Sequence, residues 1–192
     1  QSRKLVHKWR SEYDAVLVGR TTTMVDNPSL TVRHVSGRQP RRIVIDGPYE
    51  LPKELNLFSD KFEEKTSIIT WNKEASATDA DPMLKMMQQN YFRGEILQVS
   101  KLDGHADLRQ AFKLLGEKGI TSVLVEGGQQ LSSALIRQGL VDKLELFIAP
   151  KLLGAGTRSL INIGINKMKE IAELKEVSWT KVGDDMLLTG YF

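Results

Sequence analysis

The sequence predicts an α/β fold, a mixed and mostly parallel sheet with antiparallel strands at its C-terminal end. Three observations carry this. Short apolar runs end at glycine, as Ala15–Val18 does before Gly19, which is the signature of a buried strand. Stretches with apolar residues at helical spacing separate these runs, so strand and helix alternate along most of the chain. Finally, Leu174–Val182 and Met186–Phe192 flank Gly183-Asp184-Asp185, a hairpin signal.

The elements follow in order. Ser2–Glu12 reads as an amphipathic helix with Leu5, Trp9 and the stem of Arg10 at helical spacing. Ala15–Val18 is the first strand. Thr21–Val25 forms one or two helical turns, stopped at Asp26-Asn27-Pro28 because a residue before proline avoids the helical region. Arg42–Asp46 is the second strand, ended by Gly47-Pro48, and Ser67–Thr70 is the third. Asp81-Pro82 opens a helix, with proline in its first turn, that runs to about Phe92. Glu95–Val99 is a strand, and Asp107 caps a helix with Leu108, Ala111, Phe112 and Leu115 on one face. Ser122–Glu126 is a strand, followed by Gly127-Gly128 and a helix from Gln129 to Gln138, then a strand over Lys143–Ala149. Charge runs such as Lys61–Lys65 read as solvated surface.

With 192 residues, the chain fits one domain spanning 1–192. Its net charge of +3 is too small to announce nucleic-acid binding. No apolar run approaches the roughly 20 residues of a membrane helix. The chain has no cysteine, which rules out a disulfide scaffold, a thiolate nucleophile and thiolate-held metals, and fits a reducing, cytoplasmic setting. His7, His34 and His105 are scattered, with no i, i+3 or i, i+4 pair, so no metal site is expected. Trp9, Trp71 and Trp179 read as core or partly buried aromatics.

Two stretches can carry chemistry. Gly127-Gly128 lies where a strand feeds a helix, and the free N–H groups and dipole of a helix start favour an anion there. A tight strand-to-helix turn fits the same two glycines. Glu126 ends the strand, where open α/β sheets bind ligands; an ordinary surface acid is the plain alternative. Thr21–Arg33 gathers hydroxyls, Asp26 and Arg33 after a buried strand. The fork of Arg33 suits a phosphate, although Asp26 and Asn27 also fit a simple turn. Arg38, Arg41 and Arg42 form a basic cluster without aromatic partners, best read as a solvated loop before a strand.

Seven motifs appear in order: Val6–Arg10 (VHKWR), Asp14–Gly19 (DAVLVG), Thr22–Arg33 (TTMVDNPSLTVR), Gln39–Asp46 (QPRRIVID), Val125–Gly128 (VEGG), Gly139–Asp142 (GLVD) and Ile148–Gly154 (IAPKLLG). Together they resemble the reductase domain of the bifunctional riboflavin-biosynthesis deaminase/reductase. The resemblance implies a dihydrofolate-reductase-like, three-layer α/β domain. It implies NADPH-dependent reduction of 5-amino-6-(5-phosphoribosylamino)uracil, with hydride added at C1 of the opened ribose. By matched motif, Thr22, Asp26, Gly47, Gly127, Gly128, Gln129, Gln130, Leu131 and Ser132 contact the cofactor, with its pyrophosphate cradled by the helix opening as far as about Ala134. Arg10, Leu30, Arg33 and Glu126 contact the substrate, and Glu126 is the candidate catalytic residue, stabilising positive charge as the ring opens. A homodimer is expected, with a deaminase domain fused at the N-terminus in the full-length protein.

The match has gaps. The family's first strand and its Ser-Leu-Asp-Gly loop have no counterpart ahead of Gln1, so the N-terminus reads as truncated. The loop Gly47-Pro48-Tyr49-Glu50 lacks the basic residue expected beside a 2′-phosphate, for which Lys73 is a substitute. A folate reductase of the same fold, and a non-catalytic nucleotide- or nucleic-acid-binding domain, are the rival readings.

Overall fold

The structure is a computed structural model that describes residues 1–71, 92–152, 161–164 and 172–192. The expected helix after Asp81-Pro82, Lys73 and the Gly154 end of the last motif lie outside the described residues. The chain divides into two compact units, His7–Gly128 and Gln1–Val6 with Gln129–Phe192. Helix α1 (Ser2–Glu12) and strand β1 (Ala15–Gly19) fall where the sequence puts them.

The larger unit is built on a five-stranded parallel sheet in the order β4-β3-β2-β1-β7, with β2 Arg41–Ile45, β3 Thr66–Trp71, β4 Glu95–Val99 and β7 Val123–Val125. Strand β1 lies in the interior of the sheet and is apolar on both sides, with Ala15 to Val18 fully buried, as a parallel strand covered on both faces must be. On one face Val16, Val18, Val44 and Ile68 pack with Leu30, Leu57, Phe58 and Phe92, the two phenylalanine rings meeting edge to face at 5.6 Å. Helix α2 (Arg20–Asp26) follows β1 directly and ends at Asn27 in the left-handed region, just before Pro28. Helix α4 (Leu108–Glu117) is capped by the Asp107 carboxylate, which accepts the Gln110 amide at 3.0 Å.

Four elements go beyond what the sequence pattern predicts. A short α3 (Asn56–Ser59) and a 3-10 turn at Glu63–Lys65 precede β3. Strands β5 (Lys101–Leu102) and β6 (His105–Ala106) form a hairpin whose Asp103-Gly104 turn has φ of 49° and 82°, the positive-φ pair such a turn requires.

The structure corrects several readings of charge and exposure. Arg42, expected in a solvated cluster, is 1% exposed. It shares the sheet face of Val44, where its guanidinium donates to Thr66 Oγ1, Ser29 O, Leu57 O and Asp60 Oδ2 at 2.6–3.1 Å. Glu63, expected on the solvated surface, is buried and accepts from the Arg93 amide at 2.8 Å and from its Nε at 3.0 Å. The most buried positions of α1 are His7 and Arg10 rather than Leu5 and Trp9.

In the smaller unit, helix α5 (Gln129–Arg137) ends before Gly139, at φ 63°. Its Ser133 hydroxyl accepts the Asn162 amide at 2.8 Å. Strands β8 (Lys143–Ile148), β9 (Lys175–Val182) and β10 (Asp185–Tyr191) pair antiparallel in the order β8-β10-β9. The parallel and antiparallel parts of the expected fold are both present, and backbone hydrogen bonding assigns them to separate sheets. Ser2 Oγ donates to Asp185 Oδ2 at 2.5 Å beside the hairpin turn. Trp179 is not a core residue: it is 56% exposed on β9.

Candidate active site

Glu126 follows β7 directly, its amide bonded to Leu17 O at 2.9 Å. This extends the pairing of β7 with β1 by one residue and fixes the carboxylate at the sheet's carboxyl end. Arg10 meets it as a fork: Nε donates to Oε1 and Nη2 to Oε2, both at 2.6 Å. Two parallel charge-assisted bonds of this kind are strong and directional. The remaining guanidinium nitrogen, Nη1, donates to Thr31 O at 3.1 Å. Arg10 and Glu126, both expected to meet the substrate, therefore meet each other. Glu126 remains 23% exposed, so the pair has one wet side.

The segment Thr31–Arg33 lies next to this pair and belongs to no helix or strand. Side chains satisfy its backbone. Arg10 holds Thr31 O, and the Gln39 amide brackets Val32 by donating to its O at 2.9 Å and accepting from its N at 2.8 Å. His7 Nδ1 accepts the Arg33 amide at 3.1 Å. The Arg33 side chain is exposed and has no ion-pair partner among the described residues. The histidines are less scattered than they look in sequence, because the His7 and His34 rings meet edge to face at 4.5 Å. Burial, then the charge of Arg10 and the neighbouring His34 and Arg33, push the His7 pKa below its usual value of 6.5, against a smaller pull from Glu126. No cluster of metal-ligating residues exists among those described.

Leu30, expected at the substrate, is a core residue. It is 1% exposed and packs in the core, at a φ of 52° that a leucine adopts at a cost. Its side chain anchors the loop from beneath.

The expected cofactor residues are distributed over both units. In the larger unit, a Cβ on Gly128 would stand 3.3 Å from Thr22 Oγ1, so the glycine keeps the space beside that hydroxyl open. Asp26 is exposed at the end of α2. Gly47 has a structural reason to be glycine, since a Cβ there would lie 1.3 Å from the Trp71 ring. Gly127 lies between Glu126 and Gly128. Gln129, Gln130, Leu131 and Ser132 form the first turn of α5, in the smaller unit.

Sequence reasoning misses one charged group at the end of β2. Asp46 is buried, with Oδ2 accepting the Leu51 amide at 2.8 Å and Oδ1 without a hydrogen bond. Arg20 Nε stands 3.6 Å from Oδ1, and Arg20 Nη2 pairs with Glu50 at 2.7 Å. Burial raises the Asp46 pKa. The signal that could have found it is the parity of β2, which puts Arg42, Val44 and Asp46 on one face.

No described helix is long and apolar enough to cross a membrane. The chain is 32% identical over 190 residues to the riboflavin biosynthesis protein RibD of Actinobacillus pleuropneumoniae, covering 97% of this chain and 48% of that protein. It is 29% identical to the 2,5-diamino-6-ribosylamino-4(3H)-pyrimidinone 5′-phosphate reductase of Aquifex aeolicus, covering 91% of this chain and 75% of that one. Acinetobacter baumannii RibD has the same fold, with a TM-score of 0.78 at 23% identity over 99% of this chain and half of that one. The chain spans about half the length of the RibD relatives it matches. The RibD C-terminal domain model matches residues 1–188, and the chain belongs to that family.

Proposed function

We propose that residues 1–192 act as one reductase domain of riboflavin biosynthesis. It reduces 5-amino-6-(5-phosphoribosylamino)uracil to its ribitylamino product with NADPH. The observation that carries this reading is the Arg10–Glu126 fork at the end of β7, immediately before Gly127-Gly128, in a chain of the RibD family. When bound, the dinucleotide supplies the hydride. The chain supplies position and charge. In the larger unit, Thr22, Asp26, Gly127 and Gly128 are the residues that would hold the cofactor; in the smaller unit, the candidates are those of the opening turn of α5. The space kept open between Gly128 and Thr22 Oγ1 fits a backbone that a pyrophosphate approaches closely.

On the substrate side, Arg33 is an exposed guanidinium with its fork available, suited to the 5′-phosphate. Glu126 is oriented by Arg10 and leaves its wet side to ribose hydroxyls or to the amine at the reacting carbon. A carboxylate there stabilises positive charge as the ring opens, which makes the carbon a better hydride acceptor. Arg10 acts through Glu126 and is a positioning residue.

A homodimer is part of the proposal. Val177, Trp179, Met186 and Ile148 lie on one face of the antiparallel sheet and are exposed. A contiguous apolar face of this kind marks an interaction surface, and a second copy of the chain is the expected occupant. An N-terminal deaminase domain in the full-length protein accords with relatives about twice this length.

Absorbance loss of NADPH with the pyrimidine substrate, measured on the full-length protein, tests the reading, with dihydrofolate offered in parallel. Turnover of the pyrimidine alone is expected. Turnover of dihydrofolate alone overturns the substrate assignment. Titrating NADPH and NADH by fluorescence tests cofactor choice: tighter NADPH is expected, and equal affinities would refute the preference.

A further inference from the structure

The segment that carries Arg33 has no secondary structure to hold it, so its direction depends on the side chains that take up its backbone groups. Arg10 and Gln39 hold Thr31 and Val32, which are buried. At Arg33 the chain emerges to solvent. The tether at that point is the Arg33 amide donating to His7 Nδ1 at 3.1 Å. His7 and Arg10 lie three residues apart on α1 and so share a helix face. One face of α1 thus holds both the carboxylate and the segment bearing the expected phosphate contact.

We propose that His7 is a positioning residue for Arg33, and that only its neutral ring can act. An imidazole nitrogen accepts a hydrogen bond only when it carries no proton. The Arg33 amide therefore selects the tautomer with hydrogen on Nε2. Protonation would put an N–H at Nδ1, facing the Arg33 N–H, and the tether would become a repulsion. The charged and titratable groups facing the ring are Arg10 and Glu126, already paired with each other, together with Arg33 and His34. His7 is 3% exposed. Burial and the surrounding positive charge keep the ring neutral at pH 7, and it gains a proton only below 6.5. Nothing in this tether touches the residues expected to hold the dinucleotide, so its loss weakens substrate binding and spares the cofactor. The inference rests on reading Arg33 as the contact to the substrate phosphate.

The test is the pH dependence of kcat and KM between about pH 5 and 8 for wild type, His7→Asn, His7→Ala and Arg33→Ala in the full-length protein. The Asn Oδ1 stands near the place of Nδ1 and accepts a hydrogen bond at every pH. The substrate phosphate itself titrates near pH 6, equally in all variants, so the comparison between them removes that contribution. Wild-type KM is expected to climb on acidification beyond the climb in His7→Asn, which keeps the wild-type KM at neutral pH. His7→Ala should raise KM at all pH by roughly three- to tenfold, the effect of one neutral hydrogen bond, with kcat and dinucleotide affinity unchanged. If His7→Ala does not fold, the His7→Asn profile alone decides. An acid climb in His7→Asn equal to wild type overturns the proposal, as does a His7→Ala variant with wild-type KM. If Arg33→Ala itself keeps the wild-type KM, the phosphate reading fails, and the proposal with it. A raised KM in Arg33→Ala with silent His7 variants leaves that reading standing and refutes only the role of His7.

Discussion

Arg42 and Arg10 are two buried arginines of the same compact unit, and their surroundings differ in kind. Arg42 stands at the start of β2 and donates to two carbonyls, a threonine hydroxyl and Asp60. Its partners belong to loops, to α3 and to the start of β3, and the side chain is 1% exposed. Arg10 gives two of its donors to one carboxylate at the opposite end of the sheet, where the strands' carboxyl ends lie and Glu126 keeps a wet side. A guanidinium shared among four groups of the surrounding chain stabilises a fold. One aimed at a single part-exposed carboxylate orients a group for something outside the protein. The comparison yields a claim that mutation can break: Arg42 governs stability and Arg10 governs rate.

The largest effect is expected at Arg42. Arg42→Ala takes the donor from Ser29 O and Asp60 Oδ2, while Leu57 O keeps the Thr66 hydroxyl. Asp60 is 26% exposed and can be hydrated, so the cost is mainly that of truncating a fully buried side chain, about 2–5 kcal/mol, a large share of a domain's typical stability of about 5–15 kcal/mol. Urea denaturation should show this loss, with kcat of whatever protein remains folded near wild type. Arg10→Ala should cost clearly less stability and more rate. Equal stability losses in the two variants would erase the distinction.

Next in size is the carboxylate. Glu126→Gln keeps the volume but turns an N–H₂ toward Arg10's fork, so both the charge and its orientation are lost. A fall in kcat of roughly tenfold to a thousandfold is expected, read as single-turnover loss of NADPH absorbance, with dinucleotide affinity unchanged. A normal rate would reduce the pair to a structural one, like that of Arg42. Arg33→Ala should act on KM instead, raising it by roughly tenfold to a hundredfold, the range of one charge-assisted contact. The effect should vanish with a dephosphorylated substrate. A wild-type KM would make Arg33 an ordinary surface charge.

The difference between the two arginines also marks how far the sequence is legible. Strands β1 and β4 follow from apolar runs bounded by glycine or a polar break, because burial in a parallel sheet demands such runs. Asp107 is legible as a cap because its partner, the Gln110 amide, is three residues away. Arg10 and Glu126 each stand out through the family resemblance, but their bond spans 116 residues, a separation at which periodicity carries no signal. Charge alone misplaces Arg42, although its alternation with Val44 already puts it on a buried face. Glu63 escapes because its partner Arg93 is 30 residues on, across β3.

The smallest effect sharpens the comparison by pH. Two other groups of the larger unit change charge with pH in ways that report on their neighbours. Asp14 accepts the hydroxyls and amides of Thr121 and Ser122, which hold its pKa below the ordinary value of 3.8. Its contribution is present above that value and is lost as pH falls below it. His7 acts in a higher window. Its folded pKa lies below 6.5, so between 6.5 and that folded value the unfolded chain binds a proton that the native protein does not. Stability then falls as pH drops through this window. A tenfold difference in proton affinity between the folded and unfolded chain is worth about 1.4 kcal/mol, so the loss is a small part of the total. Chemical denaturation at about pH 7.5 and pH 5.5 should show wild type losing more stability than His7→Asn, which has nothing to protonate there. Equal losses in the two would mean that the His7 ring is not held neutral, and the α1 face beside Glu126 would then carry a charge that the tether to Arg33 cannot accommodate.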